Sequence, residues 1–291
     1  MNNVVIPSLV TGCQFALVAL GINFLARVTG IVNFAFANLI AFAPLVVLVG
    51  VQKWSLPLSV SLILAGILVV VALALVQERL TIRPFLGSGT ALPWILSTLA
   101  ASLILGQIAE VPFQGQTLPF PYNFGQSQLK IGAIQTTWVD ITLVCTSVFV
   151  YIAVLLISSR TGIGRMLTAV SEDSMGASVV GISVARAAQI AAVMSALIAY
   201  AIGITTAPIV EISSGASTLS VLFTGFVAAT IGGIGSLEGA LPGGIIAGFL
   251  IQVISVYLGP VWINTFLFLG LIVILGIRPN GLFGKTSVRA V

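Results

Sequence analysis

Runs of about twenty residues with almost no charge recur along the chain, and they dictate what it can fold into. A stretch such as TLVCTSVFVYIAVLLISS (142–159) matches the helix of about 20 apolar residues that crosses a bilayer core of ~30 Å. Comparable runs fall at roughly 4–26, 31–50, 56–76, 91–110, 136–158, 187–207 and 261–277. Between the last two lies a weakly interrupted tract, 217–258, which reads as two short apolar halves around GGIGSLEGALPGG (Gly232–Gly244). The tract is either two crossings or a re-entrant pair. The expectation is an all-α polytopic membrane protein with about 8 transmembrane helices, broken or re-entrant segments, and one membrane domain over 1–291.

Composition agrees. Charged residues make up 6% of the chain and the mean hydropathy is +1.20, too little polar surface for a water-soluble fold of this size. The 30 glycines suit helices that approach closely in lipid. Histidine is absent, which excludes Ser–His catalysis, His metal ligands and a His proton relay. Cys13 and Cys145 both lie in apolar runs and form no disulfide framework or metal spacing. The positive charges are scattered rather than gathered, which argues against nucleic acid. No GxxxxGK[ST] sequence is present, so ATP is not expected to bind this chain by a P-loop. Neither catalytic nor metal-binding residues are predicted.

Basic residues stay on the cytoplasmic side of a membrane. With the segment Arg160–Arg186 inside, Arg27, Arg79, Arg83, Arg160, Arg165, Arg186, Arg278, Lys285 and Arg289 all fall inside, and only Lys53 and Lys130 outside. The N-terminus is then outside and the C-terminus cytoplasmic. MNNVVIPSLV has no basic n-region and reads as the start of a first span, not a cleaved signal. The long extracytoplasmic loop, about 111–135, is rich in Pro, Gln and Gly, and the alternation in SQLKIGAI predicts a small hairpin.

One segment departs from the apolar pattern. RTGIGRMLTAVSEDSMGASVVGISVAR (Arg160–Arg186) concentrates Arg160, Arg165, Glu172, Asp173 and Arg186 between two membrane runs. Ser171 is a candidate N-cap with Glu172 and Asp173 in the first turn. Met175, Val179 and Ile182 then share one side, Ala177 and Gly181 keep the surface small, and Gly181 stops the helix. Such a helix either rests on lipid headgroups or docks into a cytoplasmic motor.

Four motifs bear on that choice. GRMLTAVSEDSMGASVVGIS resembles the coupling loop of LivH/LivM-type ABC permeases, the membrane subunits of importers for branched-chain amino acids, urea and amides, through Gly164, Arg165, Ala169, Asp173, Ala177, Gly181 and Ile182. TGIVNFAFANLIAF is similar to the family's G-x-x-N-F-A-H-G-E stretch through Gly30, Asn33, Phe34 and Ala35. ATIGGIGSLEGALPGGIIAGFL resembles V-x-G-G-x-G-S-x-x-G-A-x-x-G-G, and GIRPNGLFG resembles the R-P-x-G-L-F-G ending. Length and the early Asn-Phe-Ala run resemble the LivH-like subunit.

The resemblance implies an internal inverted repeat, a second LivM-like permease subunit, two cytoplasmic ATP-binding subunits that hold ATP and Mg, and an extracytoplasmic solute-binding protein. It places the chain in a bacterial or archaeal cytoplasmic membrane and gives the loop, about 160–186, the role of ATPase coupling through Arg165, Glu172, Asp173, Ala177 and Gly181. The translocation path is expected to run past Asn33, Phe34, Phe36, Asn38, Gly232, Gly233, Gly235, Ser236 and Gly239. Where the family has His-Gly-Glu, this chain has Phe36, Ala37 and Asn38. The cargo is then a branched-chain or other neutral amino acid, or a related small amide, urea or organic acid. The rival class is an ion-coupled secondary transporter, which needs ionisable groups deep in the bilayer. Glu238 is the acidic residue whose depth bears on it. Glu110, Asp140 and Glu211 are expected near outer ends, Asp140 and Glu211 as candidate contacts for a docking protein.

Overall fold

The computed structural model describes residues 2–87, 90–111, 120, 128–131, 134–208, 216–278 and 280–284. Its helices, in chain order, are α1 (Asn2–Thr29), α2 (Phe36–Gln52), α3 (Leu58–Phe85), α4 (Leu92–Glu110), α5 (Trp138–Arg160), α6 (Gly162–Glu172), α7 (Ser174–Val179), α8 (Val184–Thr206), α9 (Ala216–Gly232), α10 (Leu237–Tyr257) and α11 (Ile263–Ile277). Among the described residues seven helices are long and apolar enough to cross a membrane, and α2 and α9 are shorter apolar helices. Strands β1 (Gln128–Ile131) and β2 (Ile134–Thr137) pair antiparallel, Gln128 opposite Thr137, as the alternation predicts.

α1 is the central helix. It packs on α10, α8, α9 and α5, and its residues from Ala16 to Leu25 are almost completely buried. The α1–α10 contact explains much of the glycine content. Gly12 and Ala16 are four apart, as are Gly244 and Gly248, so each pair lies on one face. A Cβ on Gly244 would overlap the Ala16 backbone, and one on Gly248 would overlap the backbone of Gly12. The two helices therefore touch backbone to backbone, which only small residues permit. By contrast α3, α4, α5 and α11 present apolar outer faces such as Leu96, Leu103, Phe149 and Ile272, the surface lipid requires.

Three boundaries differ from the sequence reading. The second span begins at Phe36 rather than 31, because Gly30–Ala35 is an irregular stretch, buried from Ile31 to Asn33. The third continues to Phe85, since the helix passes through π turns at Glu78–Ile82 instead of ending near 76. The tract 217–258 is a helical hairpin, α9 and α10, with a tight turn at 233–236. α5 starts with a reciprocal cap: Asp140 N donates to Thr137 Oγ1 at 3.2 Å and Thr137 N to an Asp140 carboxylate oxygen at 2.9 Å. Asp140 thus serves its own helix start. Glu211 lies outside the described residues, as do most of 111–135, Lys285 and Arg289.

Candidate functional site

One end of the bundle gathers the polar segment, the glycine turn, the C-terminal motif and the end of α1. Arg27, Arg160 and Arg165 lie there, and it is called the basic end below. The glycine turn is held from three sides. Asn23, fully buried on α1, donates through Nδ2 to Gly233 O (3.2 Å) and Ser236 O (2.9 Å), and its Oδ1 accepts from Gly235 N (3.0 Å). Ser236 caps α10 by accepting from Gly239 N at 3.0 Å. The last carbonyls of α9, which have no partner within the helix, accept from the C-terminal strip: Leu282 N bonds Ile231 O (2.9 Å) and Phe283 N bonds Gly232 O (3.1 Å). Gly233, at φ +102°, lies against Gly284. Two of the motifs seen in sequence are therefore two halves of one packed unit.

The polar segment forms α6 and α7. α6 is strongly amphipathic and buries Gly164, Leu167 and Val170. A Cβ on Gly164 would overlap the carbonyl oxygens of Ile157 and Ser158 at the end of α5, so this seat admits only glycine. The helix predicted to start at Ser171 instead starts at Ser174. Ser171 and Glu172 belong to the last turn of α6, where Ser171 Oγ donates to Thr168 O. The N-cap of α7 is Asp173, whose carboxylate accepts from Met175 N (3.0 Å) and Gly176 N (2.9 Å). An aspartate accepts both bonds and adds negative charge at the positive helix end.

α7 closes at Gly181. Ile182 N donates to Ala177 O and Gly181 N to Ser178 O, with Gly181 at φ +87°, the paired pattern of a left-handed helix stop. Ala177, expected at the outer contact, faces inward and is 5% exposed, while Ile182 turns toward the core. The outer surface is made by Met175, Val179 and Val180, 77%, 82% and 75% exposed. Arg165, Glu172 and Gly181 are exposed around it.

The expected path residues separate into two groups. Asn33, Phe36 and Asn38 are buried between helices of this chain. Asn33 Oδ1 accepts from Gln77 Nε2 on α3 (2.7 Å) and from Ala35 N (3.0 Å), fixing the irregular stretch. Phe36 lies against Gly21 of α1, and Phe34 packs on Phe226 of α9 with the rings tilted by 42° and their centroids 5.8 Å apart. Asn38 Nδ2 donates to Ser102 Oγ of α4 at 2.7 Å. At the basic end, Gly232, Gly233 and Gly239 are buried at the turn and the helix ends that flank it, whereas Gly235 and Ser236 border a cavity of about 890 Å³ together with Arg27, Arg165, Glu172 and Glu238.

Glu238 is exposed at this rim, not deep in the bundle. Among the described residues the buried acid is Glu78, fully enclosed and paired with Arg83 at 3.2 Å. Sequence reasoning passed over Glu78 and Asn23. A lone Asn in the run GINFLAR was the available signal for the second, because an amide inside a span needs a partner.

The comparisons decide what this framework is. The family model described as the permease component of the branched-chain amino acid transport system matches residues 4–276. The chain belongs to that family. It is the membrane-spanning permease subunit of an ABC importer. BraD, the high-affinity branched-chain amino acid transport system permease protein of Pseudomonas aeruginosa, is 27% identical over 98% of this chain and 96% of its own length. LivH of Salmonella typhimurium is 25% identical over 96% and 94%, and LivH of Escherichia coli 24% over the same shares. The solved PsaBC from Streptococcus pneumoniae in complex with Fab aligns at 15% identity and a TM-score of 0.49, covering 94% and 91%.

Proposed function

We propose that this permease carries a branched-chain or other neutral amino acid, or a small amide, urea or organic acid. It does so beside a second LivM-like permease, two cytoplasmic ATP-binding subunits and an extracytoplasmic binding protein. An odd number of crossings puts the two termini on opposite faces, and the arginines at the basic end favour its lying in the cytoplasm of a bacterium or archaeon, with the N-terminus outside. The chain performs no bond chemistry of its own, and ATP and Mg are held by the partners.

The observation that carries this reading is the shape of α7. A six-residue helix capped at Asp173 and stopped at Gly181 projects Met175, Val179 and Val180 outward while Ala177 anchors it. A short rigid knob with an apolar tip suits a groove in a motor subunit, since a stroke passes only through close contact. Arg165 and Glu172 at the rim contribute polar contacts of about 1 kcal/mol or less. Gly235 and Ser236 are assigned to the inner mouth of the path, and Asn33, Phe34, Phe36 and Asn38 to the scaffold that shapes its wall.

Cysteine at Val179 tests the docking. In membranes containing the whole complex it should cross-link to the ATP-binding subunit. Labelling of that cysteine by a lipid-soluble reagent, with no cross-link to the motor, would assign α7 to the membrane surface instead.

A further inference from the structure

The last turns of α1 hold two separate elements of the basic end. Asn23 fixes the turn 233–236. Four residues on, and so on the same side of the helix, Arg27 reaches α6: Nε donates to Ser171 Oγ and Nη2 to Thr168 Oγ1, both at 3.4 Å. These are long bonds to neutral hydroxyls, and they use two of the five donors of a guanidinium. Between α6 and the turn lies the 890 Å³ cavity, with Arg27 in its wall. Arg165, Glu172 and Glu238 border the same space, and no ion pair joins any of the four charges to another. The polar bonds between α6 and α1 are thus weak, beside carboxylates that would bind the same guanidinium more strongly.

We infer that Arg27 is a latch that converts movement of α6 into movement of α1. The inference rests on the reading of α6 and α7 as the coupling segment. In the arrangement seen here the cleft is open and Arg27 bonds hydroxyls. When α6 moves toward the turn, the cleft narrows and Arg27 and Arg165 pair with Glu172 and Glu238. Two discrete bonding patterns across one cleft make a bistable element of the kind that transmits a stroke. Because α1 packs along α10, α8 and α9, a pull on Arg27 reaches the middle of the membrane domain. Arg27 is a positioning residue: it acts through α6 and α1, not on the cargo.

The test uses spin labels at Ala169 of α6 and Ile234 of the turn, both of which line the cavity, together with leucine uptake per ATP hydrolysed by the reconstituted complex. Arg27→Met keeps length and removes every donor. It should broaden the label distance distribution and lower uptake per ATP about fivefold or more, the low end for coupled sites. Arg27→Lys, which keeps charge and reach, should restore most of both. Thr168→Val with Ser171→Ala removes only the open-state acceptors and should shift the distribution to shorter distances. The label arm needs the permease alone. A complex that takes up neither leucine nor any other of the proposed cargoes with ATP would therefore overturn the transport reading, while the distances still decide the latch. Distances unchanged in Arg27→Met and in the double variant would overturn it.

Discussion

Replacing Asn23 by alanine should be among the most damaging single changes in the membrane domain. Its side chain makes three hydrogen bonds to the turn 233–236 from a position with no solvent exposure. Bonds of this kind inside membrane proteins are worth about 0.6–1 kcal/mol each, which gives about 2–3 kcal/mol. Gly233 O keeps a second partner in Ser236 N, but Gly235 N–H loses the one it has, and stranding it adds about 1 kcal/mol. A loss of about 3 kcal/mol corresponds to a fall of about 6–12 °C in melting temperature for a domain near this size. Thermal unfolding in detergent, followed by size-exclusion or tryptophan fluorescence, reads it directly. Asn23→Leu separates bonding from volume, since it refills the space and should recover little. An alanine variant that melts within about 2 °C of wild type would refute the claim that this amide holds the turn. Full recovery by leucine would show that packing, not hydrogen bonding, was the cause.

Other outcomes follow from the same geometry. Gly164→Ala places a methyl against two fixed carbonyls of α5 and should cost about 1–3 kcal/mol, seen as faster proteolysis at 160–173 with little change in the spans. Asp173→Ala removes the cap of α7 at about 1 kcal/mol; melting should stay near wild type while ATP-driven uptake falls. Arg83→Ala strands the enclosed Glu78 carboxylate and should cost about 3 kcal/mol, the low end of the range because Arg83 is itself 36% exposed, and adding Glu78→Gln should restore most of the melting temperature. A cysteine at Gly162 should react only with reagents that reach the cytoplasm; labelling from outside in intact cells would invert the topology.

Long apolar runs made the spans legible, because the bilayer admits few alternatives to a helix of set length. The hairpin 128–137 was legible by alternation, and the stop at Gly181 by its lack of a Cβ. The start of α7 was misread because Ser171 and Asp173 are both good caps; the choice depends on α6 running on to Glu172, which follows from its seat on α5. Ala177 was placed outward because periodicity alone does not say which side of a six-residue helix meets the rest of the chain. Asn33 and Asn38 drew attention as polar residues inside a span. Their partners Gln77 and Ser102 lie 44 and 64 residues away, a pairing that depends on how the helices cross. Asn23 and Arg27 form the plainest case: four residues apart in one helix, each acquires its role from a segment more than 140 residues distant.

As the permease of an ABC importer, this chain should be moved by ATP hydrolysis on its partners. Leucine uptake into liposomes containing the permease, its ATP-binding subunits and the binding protein measures this most directly. Uptake should require internal ATP and the binding protein and persist when ionophores collapse all ion gradients. Uptake by the permease alone, abolished by ionophores and indifferent to ATP, would contradict it.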